Sequence, residues 1–313
     1  MIYLLLALAF GGLGLYFGAE WLIRGAGSLA LRLGISPVIV GLTIIGYGTS
    51  TPELVVSIDA AMNQQPDISL GNIIGSNISN IGLILGLCLI IKPLTFHRQL
   101  ALFDGLVMIA SALLCALFVG TIGIGRLAGS LFFVMLLGYT LYTIKYEKNR
   151  GSKEVELMKQ EVSASTSLTK DMFCIFLGFA VLLGGSKVFL YGAVGLARLF
   201  SVSEAAIGLT LVAVGTSLPE LATSLLAAWR NKSDLAVGNI VGSNIYNILG
   251  ILGLVGLFSP IAESQIRLAD YAAMILFTLA FYGMIWNGKK AGRFSGAILL
   301  GAYAIYVYST FRG

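Results

Sequence analysis

The chain has 313 residues, of which 57% are hydrophobic and only 11% are charged, and its mean hydropathy is +0.90. This composition excludes a soluble domain and predicts a protein that lies in a lipid bilayer. The net charge of +5 does not indicate nucleic-acid binding, because in a membrane protein the placement of Lys and Arg reports the orientation of the chain.

Ten apolar stretches follow one another along the chain, each with the roughly 20 residues that a membrane-spanning helix needs. We therefore predict an all-α polytopic membrane protein with ten transmembrane helices, near residues 2–22, 37–62, 68–91, 101–119, 126–144, 171–197, 204–229, 235–259, 269–287 and 294–311. The first stretch lacks a basic flank and a cleavage site, which indicates a membrane span and not a signal peptide. Three cysteines fall within predicted spans, which favours packing roles over disulfides or a metal cluster: Cys88, Cys115 and Cys174.

The two halves of the chain contain an internal repeat. Residues 41–87 match residues 208–254 at a constant offset of 167, and 26 of the 47 aligned positions are identical. Each half would hold five spans, and an odd number of spans makes the second copy enter the membrane from the opposite side. We predict two inverted five-helix repeats, residues 1–144 and 171–313, joined by a cytoplasmic linker at residues 145–170.

The basic residues favour one orientation of these spans. The connector at residues 63–67 has no Lys or Arg, whereas its repeat equivalent at residues 230–234 has Arg230 and Lys232. Because Lys and Arg accumulate in cytoplasmic loops, we predict a multi-pass protein of the plasma (inner) membrane with both termini extracytoplasmic.

Each repeat places a polar motif in the middle of an apolar span, reading GTSTPE at residues 48–53 and GTSLPE at residues 215–220. A carboxylate at the bilayer centre costs at least about 2.5 kcal/mol, so Glu53 and Glu220 are candidates for a function. Helical spacing predicts that the Thr and Ser located four and three residues before each glutamate share its face.

A proline precedes each of these glutamates. Pro52 and Pro219 lack an amide proton and clash with the carbonyl four residues earlier, so the carbonyls of Gly48 and Gly215 leave the helical pattern. Polar backbone groups in the middle of a membrane need a hydrogen-bond partner or a bound ion. We expect a cation to bind these carbonyls.

The following span of each repeat carries a second motif, GNIIGSN at residues 71–77 and GNIVGSN at residues 238–244. Its glycines are four apart, which is typical of close helix packing in membranes: Gly71, Gly75, Gly238 and Gly242. A Ser and an Asn four apart add a hydroxyl and an amide oxygen to each repeat. The combined set contains oxygen donors without Cys or His, and Ca²⁺, which takes roughly six to eight oxygens in flexible geometry, suits it better than Mg²⁺.

The paired motifs resemble the alpha repeats of the Ca²⁺/cation antiporter superfamily, and within it the small prokaryotic members of the Na⁺/Ca²⁺ exchanger family. The resemblance implies an antiporter that exchanges Ca²⁺ for Na⁺ by alternating access. It implies that ions are held by ten side chains, with two backbone carbonyls joining them: Thr49, Ser50, Glu53, Ser76, Asn80, Thr216, Ser217, Glu220, Ser243, Asn247, and the carbonyls near Gly46 and Ala213. K⁺-dependent relatives carry Asp where this chain has Asn247, so the resemblance also implies K⁺-independent exchange.

Other functions stay open from the sequence. The same oxygens could serve a Ca²⁺/H⁺ antiporter or an exchanger of another divalent cation. Carbonyls and glutamates also build channel filters, although inverted repeats with a midplane site favour alternating access. An intramembrane enzyme is disfavoured because the chain has no HExxH motif and no nucleophile elbow. We expect no enzymatic activity, no cofactor beyond the transported Ca²⁺ and Na⁺, and function as a monomer.

Overall fold

The computed structural model describes residues 1–96, 103–148, 167–201, 213–286 and 290–312, and all helices and bridges given below lie within these ranges. Twelve helices follow in order along them: α1 Ile2–Leu33, α2 Pro37–Thr49, α3 Thr51–Met62, α4 Pro66–Ile91, α5 Asp104–Thr121, α6 Arg126–Lys148, α7 Leu168–Leu199, α8 Ala213–Thr216, α9 Leu218–Trp229, α10 Ser233–Phe258, α11 Leu268–Trp286 and α12 Arg293–Arg312. The described part has no sheet strand, and the fold is all-helical as the composition predicts.

Seven of the described helices are long and apolar enough to cross a membrane, and α2 with α3 makes an eighth when the bent pair is taken as one span. The predicted spans 101–119 and 204–229 each begin on residues outside the described ranges, and most of the predicted linker also lies outside them. The chain is therefore a multi-pass membrane protein. The count of ten spans stays a prediction.

Each polar motif interrupts a helix. The α2–α3 pair bends by 44° at Ser50, which lies between the two helices with φ −78° and ψ 12°. Ser217 separates α8 from α9 in the same way, with φ −86° and ψ 9°. The prolines explain both breaks. Proline has no amide proton to donate, so it is accommodated in the first turn of a helix, and a new helix therefore starts one residue before each proline.

Within the described ranges, three π-helical segments occur inside longer helices, at Gly41–Ile45 in α2, Asn80–Leu85 in α4 and Tyr246–Leu252 in α10. The last two lie at repeat-equivalent positions. Such segments are rare and frequently accompany functional sites, since they turn side chains out of the α-helical register. The periodicity of the sequence gives no sign of them.

The most buried long helices are α4 and α10. In their most apolar stretch of 18 residues, 78% and 83% of the residues are buried, against 33% in α1 and 28% in α7. α1 and α7 pack on each other along a glycine seam, where a Cβ at Gly14 would stand 2.9 Å from Gly185 Cα. Their remaining surface is apolar and exposed, as expected for helices that face lipid.

The glycine pair of the second motif in α10 lies against the backbone of α2. A Cβ at Gly238 would stand 2.6 Å from the carbonyl oxygen of Val38, and Gly242 touches the backbone of Leu42 in α2, so both allow close helix packing as predicted. Within the described residues, a Cβ at Gly71 would meet only Ile266 at 3.7 Å, and one at Gly75 would meet nothing within 4 Å.

Candidate cation site

Glu53 and Glu220 lie together in the core, each in the first turn of a helix and each only 1% exposed. Their hydrogen bonds cross between the halves of the chain. Ser50 Oγ donates to Glu220 Oε1 over 2.8 Å, and Ser217 Oγ donates to Glu53 Oε1 over 3.0 Å. The positive end of a helix dipole favours a carboxylate in that first turn.

This crossed pairing differs from the sequence prediction. Spacing along a continuous helix places Ser50 on the face of Glu53, in its own motif. In the structure the helix ends at Thr49 and restarts at Thr51, which turns the Ser50 hydroxyl toward Glu220 instead. The break caused by Pro52 is the physical reason, because three-residue spacing predicts a shared face only where the helix is continuous.

Gly46 and Ser243 join α2 to α10 at the same depth. Ser243 Oγ donates to the carbonyl oxygen of Gly46 over 3.1 Å. The same carbonyl accepts the backbone amide of Ser50 over 3.3 Å and lies 3.4 Å from Thr49 Oγ1. The predicted carbonyl ligand near Gly46 is thus engaged by protein donors in this conformation. For Ala213, only the backbone is described, at the first residue of α8.

Five oxygens of the predicted ligand set are buried and have no hydrogen-bond partner among the described residues: Glu53 Oε2, Glu220 Oε2, Ser76 Oγ, Asn80 Oδ1 and Asn247 Oδ1. The amide nitrogen of Asn80 donates to Asn244 Oδ1 over 3.1 Å, which leaves its oxygen free to point elsewhere. Buried polar atoms are almost always satisfied, so a group of unsatisfied oxygens needs an explanation such as an ion.

The carbonyls freed by the prolines have protein partners, which corrects the expectation that they bind a cation. Thr51 Oγ1 donates to Gly48 O over 2.7 Å, and Ser186 Oγ donates to Gly215 O over 3.2 Å. The GTSLPE motif has Leu218 where the GTSTPE motif has Thr51, so the hydroxyl of Ser186 in α7 takes the place of the missing threonine hydroxyl. The extra polarity of the first motif is explained by this bond.

The two glutamates have no basic partner in the described part of the chain, where the ion pairs involve Glu20, Asp171 and Asp270. Two buried carboxylates without a counter-charge cost several kcal/mol, and a bound cation removes that cost. The same part of the chain holds no group of three or more His, Cys, Asp or Glu side chains that could bind a metal. The ligands available are two carboxylates with neutral hydroxyl and amide oxygens, which suit hard cations.

Two further residues of the candidate site, Asn72 and Asn239, were not predicted from the sequence. Each is the first of the two asparagines in its copy of the second motif, and each contacts a glutamate-bearing helix and the other half of the chain. Their recurrence at the same place in both repeats was the signal that could have identified them.

Comparison with known proteins identifies the family of the chain and several similar proteins. The family model described as sodium/calcium exchanger protein matches residues 3–145 and 170–312. The sodium/calcium exchanger MaX1 of Methanosarcina acetivorans is 32% identical over 339 residues, covering 96% of this chain and 97% of that protein. The inner membrane protein YrbG of Escherichia coli is 31% identical over 299 residues, covering 93% and 91%. A solved structure of the sodium-calcium exchanger NCX_Mj, soaked with zero Na⁺ and Ca²⁺, superposes with a TM-score of 0.86 at 31% identity, covering 99% of both chains.

Proposed function

Because the chain belongs to the sodium/calcium exchanger protein family, we propose that it is a secondary active transporter that exchanges Ca²⁺ for Na⁺ by alternating access. The single observation that carries the proposal is that five buried oxygens of the predicted ligand set, including one from Glu53 and one from Glu220, have no hydrogen-bond partner among the described residues. Both repeats contribute to this set, and Glu53, Glu220 and Asn80 each make a hydrogen bond to the other half of the chain.

The charge of the site accounts for exchange. Two carboxylates can neutralise one Ca²⁺, or they can be shared among Na⁺ ions that occupy the same oxygens. Ca²⁺ and Na⁺ therefore compete for one set of ligands. Because the site is costly to leave without a cation, the protein changes the side to which the site opens only when Ca²⁺ or Na⁺ is bound.

The inverted architecture is part of the proposal: ten spans, with residues 1–144 and 171–313 as the repeats and residues 145–170 as the linker. Mirrored contacts support it. The backbone bridges Leu94–Ala291 and Ile124–Ile261 exchange partners at the repeat offset of 167. The hydrogen bonds of Ser50 and Ser217 to the opposite glutamate do the same.

We further propose a location in the plasma membrane with both termini extracytoplasmic, function as a monomer, no enzymatic activity, and K⁺-independent transport. The basic connector at Arg230 and Lys232 supports the orientation. The neutral amide of Asn247 supports K⁺ independence. Uptake that required K⁺ would contradict the last point.

The experiment is ⁴⁵Ca²⁺ uptake into Na⁺-loaded proteoliposomes. Wild-type protein should take up Ca²⁺ only when Na⁺ can flow outward, and Glu53→Gln should abolish uptake because it removes one of the two charges that balance Ca²⁺. Asp59→Asn is the matched control, since Asp59 lies on the same helix, is exposed, and its carboxylate accepts a hydrogen bond from Asn63 and from no other described residue. It should transport normally.

The alternatives give different results in the same vesicles. Uptake driven only by a pH gradient would identify a Ca²⁺/H⁺ antiporter. Exchange of Mg²⁺ or Mn²⁺ without Ca²⁺ would identify another divalent cation as the substrate. Flux at the rate of an open pore in electrical recordings would identify a channel, and uptake equal to wild type in Glu53→Gln would remove the site from the mechanism.

A further inference from the structure

Asn72 ties α4 to both sides of the cation site. Its amide nitrogen donates to the backbone carbonyl of Glu53 over 3.1 Å and to Ser57 Oγ over 2.9 Å. Its amide oxygen accepts the hydroxyl of Thr216, from the other half of the chain, at 3.5 Å. One side chain thus holds the helix of one glutamate and a predicted ligand of the opposite motif.

Asn239 repeats this arrangement in α10. Its amide nitrogen donates to the backbone carbonyl of Glu220 over 3.4 Å and to Ser224 Oγ over 2.9 Å. Its amide oxygen accepts the hydroxyl of Thr49 over 3.1 Å. Asn239 is fully buried, so these bonds are shielded from water.

The chemistry of an amide decides which group donates in the contact between each asparagine and its threonine. A carboxamide has two N–H donors and one oxygen acceptor. In Asn72 and Asn239, both kinds of group are engaged, the donors by a carbonyl and a serine hydroxyl and the acceptor by a threonine. Because the amide oxygen has no proton to donate, each of these contacts uses the hydroxyl proton of the threonine; Thr49 Oγ1 also lies 3.4 Å from Gly46 O, a longer distance than the 3.1 Å to Asn239 Oδ1. A threonine proton held by the asparagine does not point at a cation, which is attracted to lone pairs and repelled by an O–H proton.

We propose that Asn72 and Asn239 are mirrored positioning residues, each of which fixes the backbone of one glutamate and orients the threonine hydroxyl of the other half toward the cation. The inference rests on the proposed function and adds to it residues that set affinity without touching the ion. Because each asparagine acts on both halves, it keeps the two ligand sets in register.

A double-mutant cycle tests the proposal, with Na⁺-driven ⁴⁵Ca²⁺ uptake as the readout. Asn72→Ala should raise the half-saturating Ca²⁺ concentration about fivefold, the effect of one buried hydrogen bond, while the maximal rate per reconstituted protein changes less. Adding it to Thr216→Val should raise that concentration by clearly less than the product of the single effects, because the residues act together. Thr49 contacts Asn239 and not Asn72. Combining Asn72→Ala with Thr49→Val should therefore raise the half-saturating concentration by close to the product of the two single effects.

Thr278→Val is the structural control. Thr278 lies on α11, is 3% exposed, and its hydroxyl donates within its own helix, to Met274 O over 2.8 Å. Its variant should keep the wild-type half-saturating concentration. Thermal melting of all variants in detergent separates a loss of folded protein from a loss of affinity.

The proposal is overturned if Asn72→Ala lowers only the maximal rate, or if it couples equally to Thr49 and Thr216. A wild-type protein that takes up no Ca²⁺ refutes the proposed function. In that case the same cycle is measured as the Ca²⁺-dependent rise in melting temperature, with coupling to Thr216 alone as the supporting result. A wild-type melting temperature that does not respond to Ca²⁺ overturns both.

Discussion

Replacing Gly242 by alanine should separate two core helices and weaken the cation site. A Cβ at this position would stand 2.6 Å from both the C and Cα atoms of Leu42, and closer still to its carbonyl oxygen. Carbon atoms pack at about 3.5–4.0 Å, so α2 and α10 would have to move apart by about 1 Å. Overpacking of this kind costs about 1–3 kcal/mol.

The same movement would reach the ligands. Ser243 Oγ lies 3.1 Å from Gly46 O, across the interface that Gly242 keeps close. A further 1 Å or so exceeds hydrogen-bonding distance. Gly242→Ala should therefore lower the melting temperature and raise the half-saturating Ca²⁺ concentration together.

The assay pairs thermal melting in detergent with Ca²⁺ uptake in proteoliposomes. Gly138→Ala on α6 is the control, because this exposed position has no described atom within 4 Å of a Cβ, and alanine also favours the helix. A Gly242→Ala protein that melts and transports like Gly138→Ala would refute the close packing of α2 on α10.

Three further results are expected. Thr51→Val should destabilise the protein by about 1 kcal/mol, since Gly48 O loses its donor, and Thr51→Ser should restore it; equal melting of all three proteins would contradict this. Arg230→Gln should destabilise by less, about 0.5 kcal/mol, because its 3.1 Å ion pair with Glu20 is partly open to solvent, and high salt should reduce the difference from wild type. Ca²⁺ at a hundred times its dissociation constant should stabilise the folded protein by about 2.7 kcal/mol in melting experiments, and Glu220→Gln should lose that response; an unchanged response would exclude Glu220 as a ligand.

Much of the candidate site was predictable because polar and charged residues raise the free energy of a membrane-spanning helix. A carboxylate in the middle of an apolar span is expensive, so Glu53 and Glu220 are identified by position alone. Repetition of each motif at one offset then assigns the hydroxyls and amides beside them. The structure brings Ser50 into contact with Glu220 and Ser217 into contact with Glu53.

The partners of those residues were not predictable. Ser50 bonds to the glutamate of the other half because a helix break turns it away from its own, and only the packed halves decide where it then points. The carbonyls of Gly48 and Gly215 were expected to meet a cation. Hydroxyls already present nearby satisfy them, one from Thr51 and one from Ser186, which lies 29 residues away along the chain.

The sequence by itself determined that the protein lies in a membrane and that its two halves share a repeated segment, and it identified two acidic motifs as the candidate site. These conclusions follow from composition, self-similarity and the cost of buried charge, and each of these can be read from the amino-acid sequence. The tertiary structure alone decided which hydroxyl faces which carboxylate, where Asn80 and Asn247 enter π-helical turns, and that Asn72 and Asn239 bridge the halves. Such contacts depend on distances of a few ångström between residues more than 140 positions apart, and no local pattern records them.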